Sequence, residues 1–250
     1  MISRNLLILL SINSKKLMKN YKLGLFLIAL KRLPIIIKKN NFYSQFGEDA
    51  KLKKYLSGEK GFYLDIGSGD PVKGSNTFNL YKNGWRGILV DPLYNNIFLS
   101  KFIRWKDKSI RGFIGDVKSE IVFYELYPYE YSTAIESRAQ ELILINKATL
   151  LKKSLQVSIL ISELGIKLDD NRPSLLSIDC EGYDYEILKT IDLSEYKFSI
   201  VIVEDFFNDR SVSKIHNLLI NNQYELVERA GPSSIYVRSS YLDKIRSKQS

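Results

Sequence analysis

The sequence predicts an α/β protein with a doubly wound, mostly parallel sheet, an antiparallel C-terminal hairpin and a basic helical N-terminal segment. Two observations predict the sheet: from residue 42 onward short apolar runs alternate with amphipathic stretches, and most of these runs end at a carboxylate. A third observation, nine basic and no acidic residues in 1–41, sets the N-terminal segment apart. We therefore predict a helical segment over 1–41 and one domain over 42–250.

The N-terminal segment contains apolar runs that are much shorter than the roughly 20 residues needed to cross a bilayer. It also lacks the small-residue cleavage site of a signal peptide. One or two basic amphipathic helices, broken at Pro34, are predicted instead. Two roles stay open: peripheral docking on an anionic membrane surface, and packing of the apolar side on the domain or on a second subunit.

Charge and cysteine content limit the partners and the compartment. Residues 42–250 contain 28 basic and 28 acidic side chains, so the sequence pI of about 9.3 does not indicate a nucleic-acid-binding domain. Cys180 is the single cysteine, which excludes an internal disulfide. We expect a cytoplasmic protein, with possible peripheral contact at the inner face of a membrane.

The elements follow one another in βα order. Predicted strands are Phe62–Ile66, Gly87–Val90, Ile110–Ile114, Ser174–Ile178 and Ser199–Val203, and the closing hairpin pairs Tyr224–Glu228 with Ser234–Arg238. Helices are predicted over 75–83, 95–106, 183–190 and Ser211–Asn222. Glu120–Tyr127 has the composition of a further strand, whereas residues 138–164 fit both helix and strand.

Five acidic residues end or directly follow predicted strands: Asp65, Asp91, Asp116, Asp179 and Glu204. In parallel sheets the ligand binds beyond the carboxyl ends of the strands, so these side chains are predicted to share one edge. The alternative for any one of them is a structural role as the cap of the following helix.

The first strand leads into a glycine loop that argues against a dinucleotide. Gly67 and Gly69 fit the fingerprint G-x-G-x-x-G, but Val72 occupies the third glycine position and Asp70 adds a negative charge where phosphates would lie. No P-loop is present. An acidic glycine loop favours a cationic ligand without phosphates, such as S-adenosylmethionine, over a nicotinamide cofactor.

The position of these residues at the predicted edge of the sheet suggests which part of the cofactor each one contacts. Gly67 and Gly69 allow close approach of the backbone, Asp65 attracts the ammonium group and Asp91 accepts from the ribose hydroxyls. Asp116 accepts from the adenine amino group, and Val117 offers its N–H to the ring. The full predicted cofactor set is Asp65, Gly67, Ser68, Gly69, Asn76, Asp91, Asp116, Val117 and Asp179. A simple capping role for Ser75 is the alternative to a ligand role for this Ser-Asn-Thr segment.

Several motifs resemble those of the FkbM-type methyltransferases. They are SQFGED (44–49), DIGSGDP (65–71), SNT (75–77), LYKNGWRG (80–87), ST (132–133) and SIDCEG (177–182), in order between about residues 43 and 205. The resemblance implies a class I methyltransferase (Rossmann-like) fold and methyl transfer from S-adenosylmethionine, usually to oxygen of sugars, polyketides and other secondary metabolites. The chain departs from the family at Asp70 and over 138–172, so the resemblance does not identify the acceptor.

Transfer to a hydroxyl needs a proton acceptor or a metal. His216 is predicted to be a surface residue, so a carboxylate is the expected base: Asp179 first, then Glu181, with Glu204 on the adjacent strand. Glu181 has an alternative role in holding its loop through backbone N–H groups. Mg²⁺ held by Asp179, by Glu204 or Asp205, and by Asn208 is possible, but the loose spacing does not favour it, and no metal site is predicted.

The predicted function is S-adenosylmethionine-dependent O-methylation of a sugar, glycan or secondary-metabolite hydroxyl. Its expected partner is a small-molecule or glycan acceptor, with no nucleic acid. A non-catalytic scaffold of the same fold, associated with a membrane surface through its basic N-terminus, is the alternative, although such a scaffold has no need of the whole acidic edge.

Overall fold

The computed structural model describes residues 14–37, 42–56, 58–169, 171–205 and 213–247. The chain divides into two compact units, Met1–Asn40 and Asn41–Ser250.

The first unit contains helix α1 (Ser14–Ile37). This helix includes Pro34, so the prediction that it breaks there is wrong. Proline removes only one backbone donor, and three residues from the end of a helix that loss is confined to the last turn. Apolar residues are spread around α1 rather than gathered on one side, and residues 1–13 and 38–41 lie outside the described part. An amphipathic segment over 1–41 is therefore not confirmed.

The second unit is built from alternating strands and helices. The strands are β1 (Phe62–Ile66), β2 (Arg86–Asp91), β3 (Lys108–Arg111), β4 (Phe113–Gly115), β5 (Glu120–Tyr127), β6 (Thr149–Leu160), β7 (Ser174–Ile178), β8 (Ile200–Glu204), β9 (Tyr224–Ala230) and β10 (Ser233–Arg238). The helices are α2 (Glu48–Leu52), α3 (Phe78–Lys82), α4 (Tyr94–Ile103), α5 (Glu136–Leu144), α6 (Asp184–Leu188), α7 (Lys214–Asn221) and α8 (Ser239–Ser247). Short 3-10 turns cover Lys53–Tyr55, Tyr129–Tyr131 and Ile161–Leu164.

The main sheet has seven strands in the order β3-β2-β1-β7-β8-β10-β9. Neighbouring strands from β3 to β8 are parallel, whereas β10 runs antiparallel to both β8 and β9. The mostly parallel sheet and the C-terminal hairpin are thus confirmed. Because the order reverses between β1 and β7, the switch point of the sheet, where ligands bind in such folds, lies after these two strands.

Both faces of the main sheet are covered, as continuous apolar strands predict. Leu176, Ile178 and Val201 pack on one face with α6 and α7, while Leu175 and Ile202 pack on the other with α2, α3 and α8. Every residue of β7 is buried. Burying one such aliphatic side chain stabilises the fold by about 1.5–3 kcal/mol.

A second sheet, in the order β4-β6-β5, extends from the main one. The prediction of one strand over Ile110–Ile114 is wrong: the chain divides at Gly112 into β3, which pairs with β2, and β4, which pairs with β6. Gly112 allows this change of sheet because a Cβ there would lie 2.6 Å from Cδ1 of Ile159. β5 has the predicted bounds, and the ambiguous residues 138–164 contain both a helix, α5, and a strand, β6.

Candidate active site

The glycine loop lies where β1, β2 and β7 converge. The N–H groups of Gly67 and Ser68 donate to the Val90 carbonyl at 2.9 and 3.2 Å, and the Asp179 N–H donates to the Ile66 carbonyl at 3.0 Å. Gly67 has φ +73°, and a Cβ there would lie 1.8 Å from the Asp179 carbonyl oxygen. Only glycine fits this position, because the neighbouring backbone of Asp179 leaves no room for a side chain. The predicted close approach to a cofactor stays a prediction.

Asp91 fastens this loop to the end of β2. Its carboxylate accepts from the N–H groups of Gly69 and Leu93, each at 2.8 Å, and both of its oxygens lie 3.2 Å from the amide nitrogen of Asn96. Burial raises the pKa of Asp91 to about 6, although these hydrogen bonds act to lower it. This carboxylate lies at the predicted edge of the sheet. A ribose hydroxyl that donates to it could replace the hydrogen bond from Asn96.

Asp65 lies on β1 beside a buried arginine that the sequence reading did not include in the site. Its carboxylate accepts from Thr77 Oγ1, and the Arg104 guanidinium donates to the same Thr77 hydroxyl at 2.9 Å. Arg104 is fully buried, yet its charge only partly offsets the burial that raises the pKa of Asp65. Asp65 is therefore bound within the protein, which competes with its predicted role toward an ammonium group.

The remaining contacts of Arg104 complete a buried network. Its Nε donates to Asp107 at 2.9 Å, and Asp107 also accepts from the Tyr63 hydroxyl and from the Gly87 N–H. The guanidinium carbon lies 5.1 Å from the centre of the Tyr63 ring, within cation–π range. Sequence reasoning missed this network because an arginine near the end of a predicted surface helix has no pattern that marks it as buried.

A second group of carboxylates gathers after β7 and β8. Burial and the neighbouring charges of Glu204, Asp184 and Glu181 raise the pKa of Asp179 well above its ordinary value. Burial and the charge of Asp184 likewise raise the pKa of Glu204 to about 7. Asp179 also interacts electrostatically with Asp65, as Asp65 does with Asp91, so all four of these predicted residues lie at one edge of the sheet.

Asp184, the first residue of α6, holds the loop of this group. Its carboxylate accepts from the N–H groups of Cys180 and Gly182, each at 3.0 Å, and burial raises its pKa to about 6. The structure thus gives Asp184 the loop-holding role that was an alternative for Glu181. Glu181 has φ +51°, a conformation that non-glycine residues adopt mainly at constrained sites, and burial and Asp184 raise its pKa.

The SQFGED segment (44–49) reaches the same edge from the N-terminal side of the second unit. Glu48 accepts from the Ser233 hydroxyl at 2.9 Å and from the Phe46 N–H at 2.8 Å, and its charge contributes to the raised pKa of Glu204. The carboxylate of Asp49 accepts a hydrogen bond from the Ser44 hydroxyl of the same segment at 2.6 Å. Both acids are buried, which explains why this segment carries two carboxylates in a row.

Two of the predicted small polar residues are buried beside the loop. Ser68 is 6% exposed, and its hydroxyl has no hydrogen-bond partner among the described residues. Asn76 donates to Ser177 at 3.3 Å, while the Ser75 hydroxyl accepts from the Phe78 N–H at 3.1 Å. Ser75 thus accepts from the first N–H of α3, although the N-cap position itself is Thr77. Ser68 is the residue of the loop with unused hydrogen-bonding capacity.

Asp116 and Val117 occupy a different setting. They follow β4 of the second sheet and are exposed, and Asp116 accepts from the Val117 N–H at 2.9 Å. Its charge acts on Lys189, and it is not among the main causes of the raised pKa values of Asp65, Asp91 or Asp179. The structure thus does not bring Asp116 into the buried acidic group, and its contact with adenine remains a prediction.

The other candidates for chemistry are less exposed to a ligand than predicted. His216 is half-buried, with Nδ1 3.2 Å from the Tyr236 hydroxyl, so its surface placement is only partly right. Asp205 is buried and accepts from Ser213 at 2.7 Å. Asn208 lies outside the described residues, and within them no group of three or more His, Cys, Asp or Glu side chains could hold a metal ion.

The strand order, the switch point and the glycine loop define a methyltransferase-like α/β protein. The family model described as the methyltransferase FkbM domain matches residues 65–226, more than half of the chain. The chain therefore belongs to the FkbM methyltransferase family, and the resemblance carried by its motifs is confirmed. No curated protein and no solved structure matches the chain.

Proposed function

We propose that this methyltransferase uses S-adenosylmethionine and methylates a hydroxyl oxygen of a sugar, glycan or secondary metabolite. The observation that carries the proposal is a group of carboxylates without a counter-charge beside a glycine turn. Asp179 and Glu204 form no ion pair within the described residues, and both have raised pKa values. A bound cation would relieve this repulsion, and S-adenosylmethionine carries two positive charges, a sulfonium and an ammonium.

The residues present fit this cofactor. The unpaired hydroxyl of Ser68 gives the glycine loop an unused hydrogen-bonding group, and a buried hydroxyl left without a partner costs about 1–3 kcal/mol. Asp91 ends β2 where a ribose can reach its carboxylate, and Gly67 and Gly69 keep the turn free of side chains. A dinucleotide would instead bring phosphates toward Asp70 and Asp179, which disfavours it electrostatically.

A carboxylate of the second group takes the proton of the acceptor hydroxyl. When bound, the cofactor supplies an electrophilic methyl group, so the chain's own task is to orient the acceptor and remove a proton. A base works best when its pKa lies near the operating pH. The pKa of Glu204, about 7, satisfies this condition, and the pKa of Asp179 is raised in the same direction. Asp179 remains the first candidate because its backbone adjoins the glycine loop, with Glu204 and Glu181 beside it.

The same side chains support a polyhydroxylated acceptor. Glu181 and Glu204 are only partly buried, and carboxylates accept hydrogen bonds from neighbouring sugar hydroxyls. Arg138 on α5 acts electrostatically on Glu181, so the inserted segment around α5 contributes to this side of the site. The divergence of residues 138–172 from the family then corresponds to the acceptor side rather than the cofactor side.

Calorimetric titration with S-adenosylmethionine tests the cofactor. We expect micromolar binding by the full chain and at least a tenfold loss in Asp91→Asn, because the amide cannot accept from two ribose hydroxyls. Asp243→Asn, a change in an exposed i,i+3 ion pair, is the matched control and is expected to bind normally. Absence of heat with the native chain would contradict the proposal, and stabilisation by NAD alone in a thermal-shift assay would favour an oxidoreductase.

Transfer of a labelled methyl group into a cell extract tests turnover and identifies the acceptor class. At saturating S-adenosylmethionine we expect Asp179→Asn to lower turnover by about 10²–10⁴-fold, since general-base catalysis contributes factors of this size. Label in an ether linkage supports O-methylation, and label on nitrogen or carbon contradicts it. Cofactor binding without any labelled product would instead favour the non-catalytic scaffold.

A further inference from the structure

A partly exposed aromatic side chain lies against the turn between β9 and β10. Phe46 of the segment SQFGED (44–49) is 45% exposed, although phenylalanine is among the residue types most often fully buried. A Cβ on Gly231 would lie 2.5 Å from Cγ of Phe46 and 2.7 Å from both of its Cδ atoms, so Gly231 adjoins one face of the ring. The opposite face of the ring is therefore the one that a ligand can reach.

The backbone of Phe46 is fixed by a buried acid. Its N–H donates to Glu48 at 2.8 Å, and the other carboxylate oxygen of Glu48 accepts from the Ser233 hydroxyl at 2.9 Å. Glu48 is 2% exposed, so both hydrogen bonds are shielded from water. The ring is thus held in place twice, by packing on Gly231 and by the hydrogen bond to this carboxylate.

The turn that holds Phe46 lies at the carboxyl end of β8. Because β10 runs antiparallel to β8, the first residue of β10 stands beside the last residue of β8, and Ser233 pairs in register with Glu204. Glu48, which bonds both Phe46 and Ser233, is also close enough for its charge to act on Glu204. Phe46 therefore lies on the side of the site to which the proposed function assigns the acceptor.

We infer, on the basis of the proposed function, that the ring of Phe46 stacks on a C–H face of a sugar ring in the acceptor. A pyranose carries hydroxyls around its edge and C–H groups on its faces, and the negative face of an aromatic ring attracts such C–H groups. The carboxylates of Glu204 and Glu181 accept hydrogen bonds from hydroxyls. An apolar platform beside hydrogen-bond acceptors thus fits a sugar better than an acyclic or wholly apolar acceptor.

Transfer of a labelled methyl group, with a dilution series of cell extract as the source of acceptor, tests the inference. We expect Phe46→Ala to need about three- to tenfold more extract for half-maximal labelling, the range expected from one aromatic contact. Its calorimetric affinity for S-adenosylmethionine is expected to stay native. Phe46→Tyr keeps the aromatic face and is expected to label as the native chain, whereas Phe46→Leu keeps only apolar bulk and is expected to lose affinity for the acceptor.

Phe102→Ala is the matched control, because it removes a phenylalanine that is 50% exposed on α4, and it is expected to label as the native chain. Thermal unfolding shows whether each variant is folded, and the leucine and tyrosine variants carry the comparison if the alanine variant unfolds.

Three results would overturn the inference while methyl transfer itself still stands. They are a native half-saturation in Phe46→Ala, equal half-saturation in Phe46→Leu and Phe46→Tyr, and label in a product without a sugar ring. Failure of the native chain to label any product would instead contradict the proposed function and this inference together.

Discussion

Two groups of carboxylates lie beside the main sheet, and only one of them has a counter-charge. Asp65 and Asp107 surround the fully buried Arg104, which bonds Asp107 directly and Asp65 through Thr77. Asp179 and Glu204 have no such partner within the described residues; the charge of Glu204 raises the pKa of Asp179, and the charge of Asp184 raises the pKa of Glu204. An uncompensated buried group is costly unless a cation binds there, which is why the proposed cofactor site is assigned to the second group.

The largest effect is expected from removing the counter-charge of the first group. Arg104→Met leaves Asp107 buried without its partner, which typically costs about 3–5 kcal/mol of unfolding free energy. Urea denaturation measures this loss. Arg172→Met, which removes an exposed i,i+3 pair with Asp169, is expected to change stability by less than about 1 kcal/mol. Similar stabilities for the two variants would show that the first group is not structural.

Gly67 of the glycine loop and Gly74, which follows the loop in the sequence, give a matched pair of substitutions. Gly67 and Gly74 have nearly equal φ values, +73° and +74°, but only at Gly67 would a Cβ meet backbone atoms. Both alanine variants lose about 1 kcal/mol from the left-handed conformation, and Gly67→Ala loses about 1–3 kcal/mol more through overpacking. Denaturation and cofactor titration of both variants test this, and equal losses would refute the close contact with Asp179.

The uncompensated group predicts an unusual pH dependence for the cofactor-free protein. Because the folded-state pKa of Glu204 is raised from 4.5 to about 7, the folded state binds more protons, and stability falls as pH rises through this window. Glu204→Gln removes that loss, so its stability relative to the native chain is expected to increase between pH 5 and pH 8. Urea denaturation at the two pH values provides the measurement.

Glu228 provides the control with the opposite sign. Its pKa is lowered by Lys54, so its contribution is present above pH 4.5 and constant between pH 5 and pH 8. Glu228→Gln should therefore differ from the native chain by the same amount at both pH values. If the unfolding free energies of Glu204→Gln and of the native chain change equally between pH 5 and pH 8, the argument for an uncompensated charge is removed.

The smallest effect is expected at Asp116, outside both groups. If it accepts from the adenine amino group, Asp116→Ala loses one hydrogen bond, or about 0.5–1.5 kcal/mol, and binds S-adenosylmethionine about three- to tenfold more weakly. Titration with S-adenosylmethionine measures the change. Unchanged affinity would assign Asp116 only to its bond with the Val117 N–H.

Strand patterns and turn residues were sufficient to predict the main sheet and the carboxylates at its edge. Continuous apolar runs such as β7 predict parallel strands, and Asp91 and Asp179 end theirs where the topology requires. The second sheet was not predicted as such, because the split at Gly112 follows from the pairing of β4 with β6, a strand that is distant in sequence. Asp184 and Arg104 were missed for a similar reason, since their partners become visible only after packing.

The chain leaves the main sheet after β3 and returns to it at β7, with β4, β5, α5 and β6 between them. The strands on either side of this excursion pair only within the main sheet. β3 pairs with β2, and β7 pairs with β1 and β8. An excursion of this kind can lengthen, shorten or change its surface while the donor-side strands stay in register. Exchange of this one segment would therefore change one surface of the protein without changing the pairing of the main sheet.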